Sequence, residues 1–361
     1  MIAGRTTLRR AAVVASMLAL VVLAAWQNRQ LSAIRRAGLP EAPAYALQAP
    51  PLLTFLTVGL GGFRGIAAEV LWARADRLQD EGRYLELVQL ADWITRLDPH
   101  ATEAWAYNAW NLSYNISAMM SRPQDRLRWV AYGIMLLRDD GLPANPHNAR
   151  LYRELAWLYQ HKIGSSDDEA HLTYKLALAQ ALAPYVRADG TVSDDTPDSR
   201  AELARQRLDP ARMRALERQF GPLDWRLAQS HAVYWASLGL EHATGHERLA
   251  CRRAIYQPLL VAVAAGRFEG DIASGEFRAA PNPALVPATA RFLEETAREY
   301  PTHGVRVACG RFLAGAICWA HATGRTADEQ AWYRDLQAIG AGVLQPLPLA
   351  DLLQGREPKA L

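Results

Sequence analysis

Glu81-Gly82-Arg83-Tyr84-Leu85-Glu86-Leu87-Val88-Gln89-Leu90-Ala91-Asp92-Trp93-Ile94-Thr95-Arg96-Leu97-Asp98-Pro99 reads as one helix with its punctuation. Leu87, Leu90, Ala91, Ile94 and Leu97 fall three or four residues apart and make a single apolar stripe. Gly82 stands just before the helix, where a tight turn between helices needs a residue without a side chain. Pro99 stands just past its end, where a helix cannot continue. A helix of this kind buries one face only, so it needs neighbours, and the question for the flanking sequence is whether they repeat it.

They do, with variation. From Gly65 the pattern is helical almost throughout. A first unit carries Leu71, Ala75 and Leu78 ahead of Gly82 and ends at Pro99. A second starts at Trp105, with Ala109 and Leu112 behind it, a second helix over 126–137 and Pro146 as its close. A third has Tyr152, Leu155, Ala156 and Tyr159, then Ala170, Tyr174 and Ala177, then Pro184. A fourth has Trp235, Leu238, Gly239 and His242, a turn at Gly245, then Ala250 and Ala254. A fifth is looser: Phe312, Ala316, Trp319, Gly324 and Tyr333. These units resemble the tetratricopeptide (TPR) repeat, over 66–184 and in patches over 223–341. The stretches GGFRGIAAEVLWARAD, LYRELAWLYQHKIG and GPLDWRLAQSHAVYWASLGLEHA also resemble bacterial membrane-anchored TPR-like proteins, a resemblance that carries no function with it.

The expected fold is an all-α, TPR-like solenoid of antiparallel helix pairs. Before the repeats, residues 11–26 (AAVVASMLALVVLAAW) are apolar apart from Ser16, with Arg5, Arg9 and Arg10 ahead of them. The run is slightly short for a bilayer core, and Trp26 and the flanking arginines can anchor its ends at the interface. We read 1–30 as an uncleaved signal anchor or transmembrane segment, against a cleaved signal peptide. Arginines stand on both sides of the span, so orientation rests on the short amino-terminal tail, which places the large domain outside the cytoplasm (periplasmic in a Gram-negative cell). Residues 31–64 hold a Pro-rich linker and the apolar, glycine-bearing run 52–63, which is too short to span. Repeats are expected over 65–185, a polar crossover with one short helix near 210–219 over 186–222, a second helical-repeat region over 223–345, and a tail over 346–361. Residues 267–279 (RFEGDIASGEFRA) read as a β-hairpin insertion with Ser274-Gly275 near its turn.

Composition narrows the function. The chain has 361 residues, half of them hydrophobic, and a net charge of +3 with both signs interspersed. That leaves no basic footprint for nucleic acid. Cys251, Cys309 and Cys318 have no paired spacing, which argues against a zinc site, although one disulfide stays open. No glycine-rich phosphate loop and no nucleophile elbow are present, and no cofactor is expected. The densest group of potential metal ligands is His161, Asp167, Asp168, Glu169 and His171. Helix ends account for it without a metal, because a cation suits a helix C-terminus and carboxylates suit the next N-terminus. A metal-dependent hydrolase using that cluster is the alternative function, as is an accessory subunit of a membrane transporter.

The TPR resemblance implies a concave groove for a protein or peptide partner. Carried over position by position, it places Trp72 and Asp76 of the first unit, Ala106 and Trp110 of the second, and Arg153 and Trp157 of the third on that face. The expected function is therefore a membrane-anchored scaffold that supports assembly of an envelope complex, not an enzyme.

Overall fold

The computed structural model describes residues 64–194 and 196–360, together with Val22 and Trp26, both helical. The apolar runs 11–26 and 52–63 and the Pro-rich stretch between them lie outside the described residues, save those two positions. Among the described residues no helix is long and apolar enough to cross a membrane. The fold is mostly α-helical, with one two-stranded antiparallel sheet. The chain divides into two compact units, Met1–Asn108 and Ala109–Leu361.

In the first unit, α1 (Arg64–Asp80) packs on α2 (Tyr84–Leu97), and α3 (Thr102–Trp110) begins. The stripe read from the sequence is the buried face of α2: Leu87, Leu90, Ala91, Ile94 and Leu97 are all buried. Leu87, Leu90 and Ile94 join Ala75 and Leu78 of α1 and Ala104 of α3 in one cluster. Gly82 turns the chain between α1 and α2 at φ +68°, a left-handed conformation that a side chain would disfavour. The Trp105 indole donates to the Pro99 carbonyl at 2.8 Å and so fastens the next turn.

In the second unit the same helix runs on through a widened π-helical turn (Asn111–Ile116) into α4 (Ser117–Met119). Then come α5 (Pro123–Met135), a second π turn (Leu136–Gly141) and α6 (Leu142–Ala144). Next are α7 (Ala149–Trp157), a third π turn (Leu158–Ile163) and α8 (His171–Leu182). Each π turn closes with an amide bonding five residues back: Ser117 to Leu112, Leu142 to Leu137 and Gly164 to Tyr159. The helix expected over 126–137 starts at Pro123, because proline suits the first helical position.

The crossover contains two helices, where the sequence reading gave one. α9 (Pro197–Arg205) starts in a capping box between Thr196 and Ser199, with Pro197 at its first turn. α10 (Pro210–Phe220) is the helix expected near 210–219. α11 (Ala228–His242) is the centre of this unit: every residue from Ala228 to Ala236 is buried. It packs against α7 and against α12 (His246–Ala265). Gly239 makes the α7 contact close, since a Cβ there would stand 3.0 Å from Tyr152 Cβ and 3.1 Å from the Ala149 carbonyl oxygen. The hairpin is β1 (Arg267–Phe268) against β2 (Ala279–Ala280). The buried Asp224 carboxylate ties it down, accepting from the Phe268 amide at 2.8 Å and from Arg226. α13 (Val286–Glu299), α14 (His303–Ala322), α15 (Thr326–Gly340) and the short α16 (Leu349–Leu353) finish the chain. Cys251 and Cys309 are buried and Cys318 half-buried, and all three are free thiols.

Candidate functional site

Two of the three π turns face each other across a concavity of about 430 Å³ in the second unit. A π turn is wider than an α turn and commonly accompanies a functional site. Here one carries Tyr114 and the other carries His161 and Lys162 into the lining, with Ala118, Arg126, Ser165, Asp167, Asp168 and Glu169 completing it. The Tyr114 hydroxyl and the His161 Nδ1 meet at 3.1 Å.

From that contact an aromatic row extends both ways. Trp110 stacks on Tyr114, one turn away on the same helix, with centroids 5.5 Å apart. Trp157 stacks nearly parallel on His161 in the same register, at 4.6 Å and 14°. The order is therefore Trp110, Tyr114, His161, Trp157. The end members keep one ring region in solvent, at 41 % and 39 % exposure. Burial pushes the Tyr114 phenol well above its ordinary range, and Glu154 and Asp167 add to the effect. Tyr114 therefore stays a neutral hydrogen-bonding group at physiological pH.

Beneath the row lies a closed ionic knot. Lys162 donates to Asp168 at 2.5 Å, and both side chains are nearly buried. Tyr174 and Arg126 also donate to Asp168, at 3.2 and 3.3 Å, and the Ala170 amide reaches it at 2.9 Å. Lys162 lies over the rings of Tyr114 and Tyr174, at 5.0 and 5.8 Å. Burial alone would raise the Asp168 carboxyl; Lys162, the Ala170 amide and Tyr174 overcome it and hold the group below the usual carboxylate range. The buried charges are thereby paired and hydrogen-bonded, as buried charges must be.

The residues singled out in the sequence divide accordingly. Trp110 and Trp157 come to the same row, although the reading that paired them gave no reason for Tyr114 or Lys162. Arg153 does not face the concavity: it is paired with Glu247 of α12, and with Glu154 at 3.8 Å. Ala106 is buried. Trp72 and Asp76 belong to the first unit, where Trp72 packs on the α1–α2 cluster and meets Tyr107 edge to face.

The supposed ligand cluster is split. His161 Nε2 stands 3.6 Å from Asp167, Asp168 is held by Lys162 and Arg126, and His171 turns to Lys175 at 3.2 Å. Burial, then the Lys175 charge, lowers the His171 pKa. Among the described residues no three His, Cys, Asp or Glu side chains are disposed to hold a metal ion. Asp168 caps the approach to α8 instead. His303 and His321 are exposed on α14, with His321 3.0 Å from Glu329.

No protein-family model matches the chain, and no curated protein is detectably similar to it.

Proposed function

We propose that this chain is a membrane-anchored, TPR-like scaffold whose second unit binds a segment of a protein partner at the Trp110–Trp157 row, in support of an envelope assembly. The observation that carries the reading is the aromatic row itself. Two tryptophans stay partly in solvent on helices whose other faces are buried, and the residues they stack on, Tyr114 and His161, line the concavity. Tryptophan is among the residue types that dominate binding hot spots. The ionic knot below keeps the row's underside rigid, so little ordering is lost on binding. The apolar run 11–26 and its arginines support the anchor, and the recurring small and aromatic positions support the repeats.

A photo-reactive residue in place of Trp110, in the full chain in its native membrane, tests this. Crosslinked peptides should map to one segment of one partner, and Trp157→Ala should weaken capture by about 2 kcal/mol or more. Equal capture by the alanine variant would overturn the assignment of the row.

A further inference from the structure

The charges around the concavity say what the partner segment brings to it. Five charged groups line the concavity: Arg126, Lys162, Asp167, Asp168 and Glu169. The two cations are committed inward. The Lys162 side chain is 6 % exposed and bound to Asp168, and Arg126 donates to the Met120 carbonyl at 2.7 Å as well as to Asp168. The carboxylates that face solvent are Asp167, at 73 % exposure, and Glu169, at 93 %. Glu169 stands 3.8 Å from Arg126, whereas Asp167 stands 3.6 Å from an imidazole. From the neighbouring helices, Arg153 is paired with Glu247, Arg150 lies 3.9 Å from Glu154, and Lys175 is held against His171.

The exposed charge beside the aromatic row is thus negative, and an aromatic face beside a carboxylate attracts a cation through both the ring quadrupole and the ion pair. We infer that the partner segment inserts a lysine or arginine side chain against the exposed face of Trp157, with its charge on Asp167. This rests on the reading of the row as a partner site. An acidic segment fits worse, because no cation in the lining is left uncommitted and two carboxylates stand at the rim.

A random peptide library displayed against the full-length protein tests the inference. Enriched peptides should share a lysine or arginine at one position. Replacing it by norleucine in a synthetic copy should weaken binding at least tenfold, and Asp167→Asn should erase the difference between the two copies. The exposed Asp167 side chain makes that variant safe for folding. Enriched peptides with no basic position, whose binding is still lost in Trp157→Ala, would overturn the inference and leave the site standing. Enrichment untouched by Trp157→Ala, or no enrichment, would overturn both.

Discussion

Glu294 sits in an environment at odds with its charge. Its side chain is nearly buried on α13, its Oε1 finds no hydrogen bond, and Arg298 is only 3.6 Å from the other oxygen. Burial, followed by the nearby Asp335, pushes its carboxyl up to about 7. Cys309 beside it is pushed up to about 12, again by burial first and Glu294 second, so that thiol stays protonated. The sign follows from proton binding. Between the ordinary value of 4.5 and about 7, the folded chain holds a proton that the unfolded chain has lost. Stability is therefore full below the lower value and falls as pH rises through the upper one, by a few kcal/mol in order of magnitude. His231 works in the opposite direction and lower down. It is fully buried between Tyr159 and Trp225, and burial lowers it from 6.5 to about 4, so stability falls as pH drops through that window. Glu294→Gln should remove the alkaline loss: its melting temperature should exceed that of the parent at pH 8 and approach it at pH 5. Identical pH profiles for the two proteins would show that the carboxyl ionises without cost.

At the scale of elements, the approach of α5 to the first π turn depends on one missing side chain. A Cβ at Gly133 would stand 2.1 Å from Ser113 Oγ and 2.7 Å from the Ala109 carbonyl oxygen, and the second atom is backbone that cannot rotate away. Alanine improves helix propensity by about 1 kcal/mol over glycine. Overpacking costs about 1–3 kcal/mol, and a backbone clash lies toward the upper end. Gly133→Ala should therefore destabilise on balance and, by moving the π turn, weaken partner capture through Tyr114. Chemical denaturation of the purified variant reads the first effect, and a more stable protein would contradict the close approach.

Elements also differ in how far the sequence discloses them. The α2 stripe was plain because five apolar residues at helical spacing need one buried face, and Gly82 and Pro99 mark its ends. α9 was also written in the chain, as Thr196-Pro197-Asp198-Ser199, but its polar composition hid it inside a supposed crossover. The π turns were not legible. Their hydrogen bonds reach back five residues instead of four, a choice set by packing rather than by any local residue preference. That is why the sequence pointed to Trp110 and Trp157 but missed Tyr114, which meets His161 from 47 residues away. It also explains the ligand cluster: neighbours in sequence, Asp167 and Asp168 face different partners in space.

For the second unit as a whole, α11 is the element on which the others close. Its residues Ala228 to Ala236 are buried on every side, which no amphipathic surface helix achieves. Polar members are held by their neighbours: the Ser230 hydroxyl donates to the Asp224 carbonyl at 2.7 Å, and His231 Nε2 meets the Trp225 carbonyl at 2.9 Å. Opening α11 would expose Trp225, Tyr234 and Trp235 together and break the contacts with α7 and α12. Its backbone amides should then exchange with solvent only through global unfolding of the unit. The loop between β1 and β2 is the opposite case, largely exposed from Glu269 to Phe277 and joined by a two-residue ladder, so it should exchange first. Because Trp157 and His161 stand on α7 and its π turn, which pack on this centre, binding at the proposed site should slow exchange in α7 and its π turn while leaving α11 unchanged. Hydrogen–deuterium exchange read by mass spectrometry decides it: α11 amides exchanging as fast as those of the terminal helix α16 would sink this account of the core.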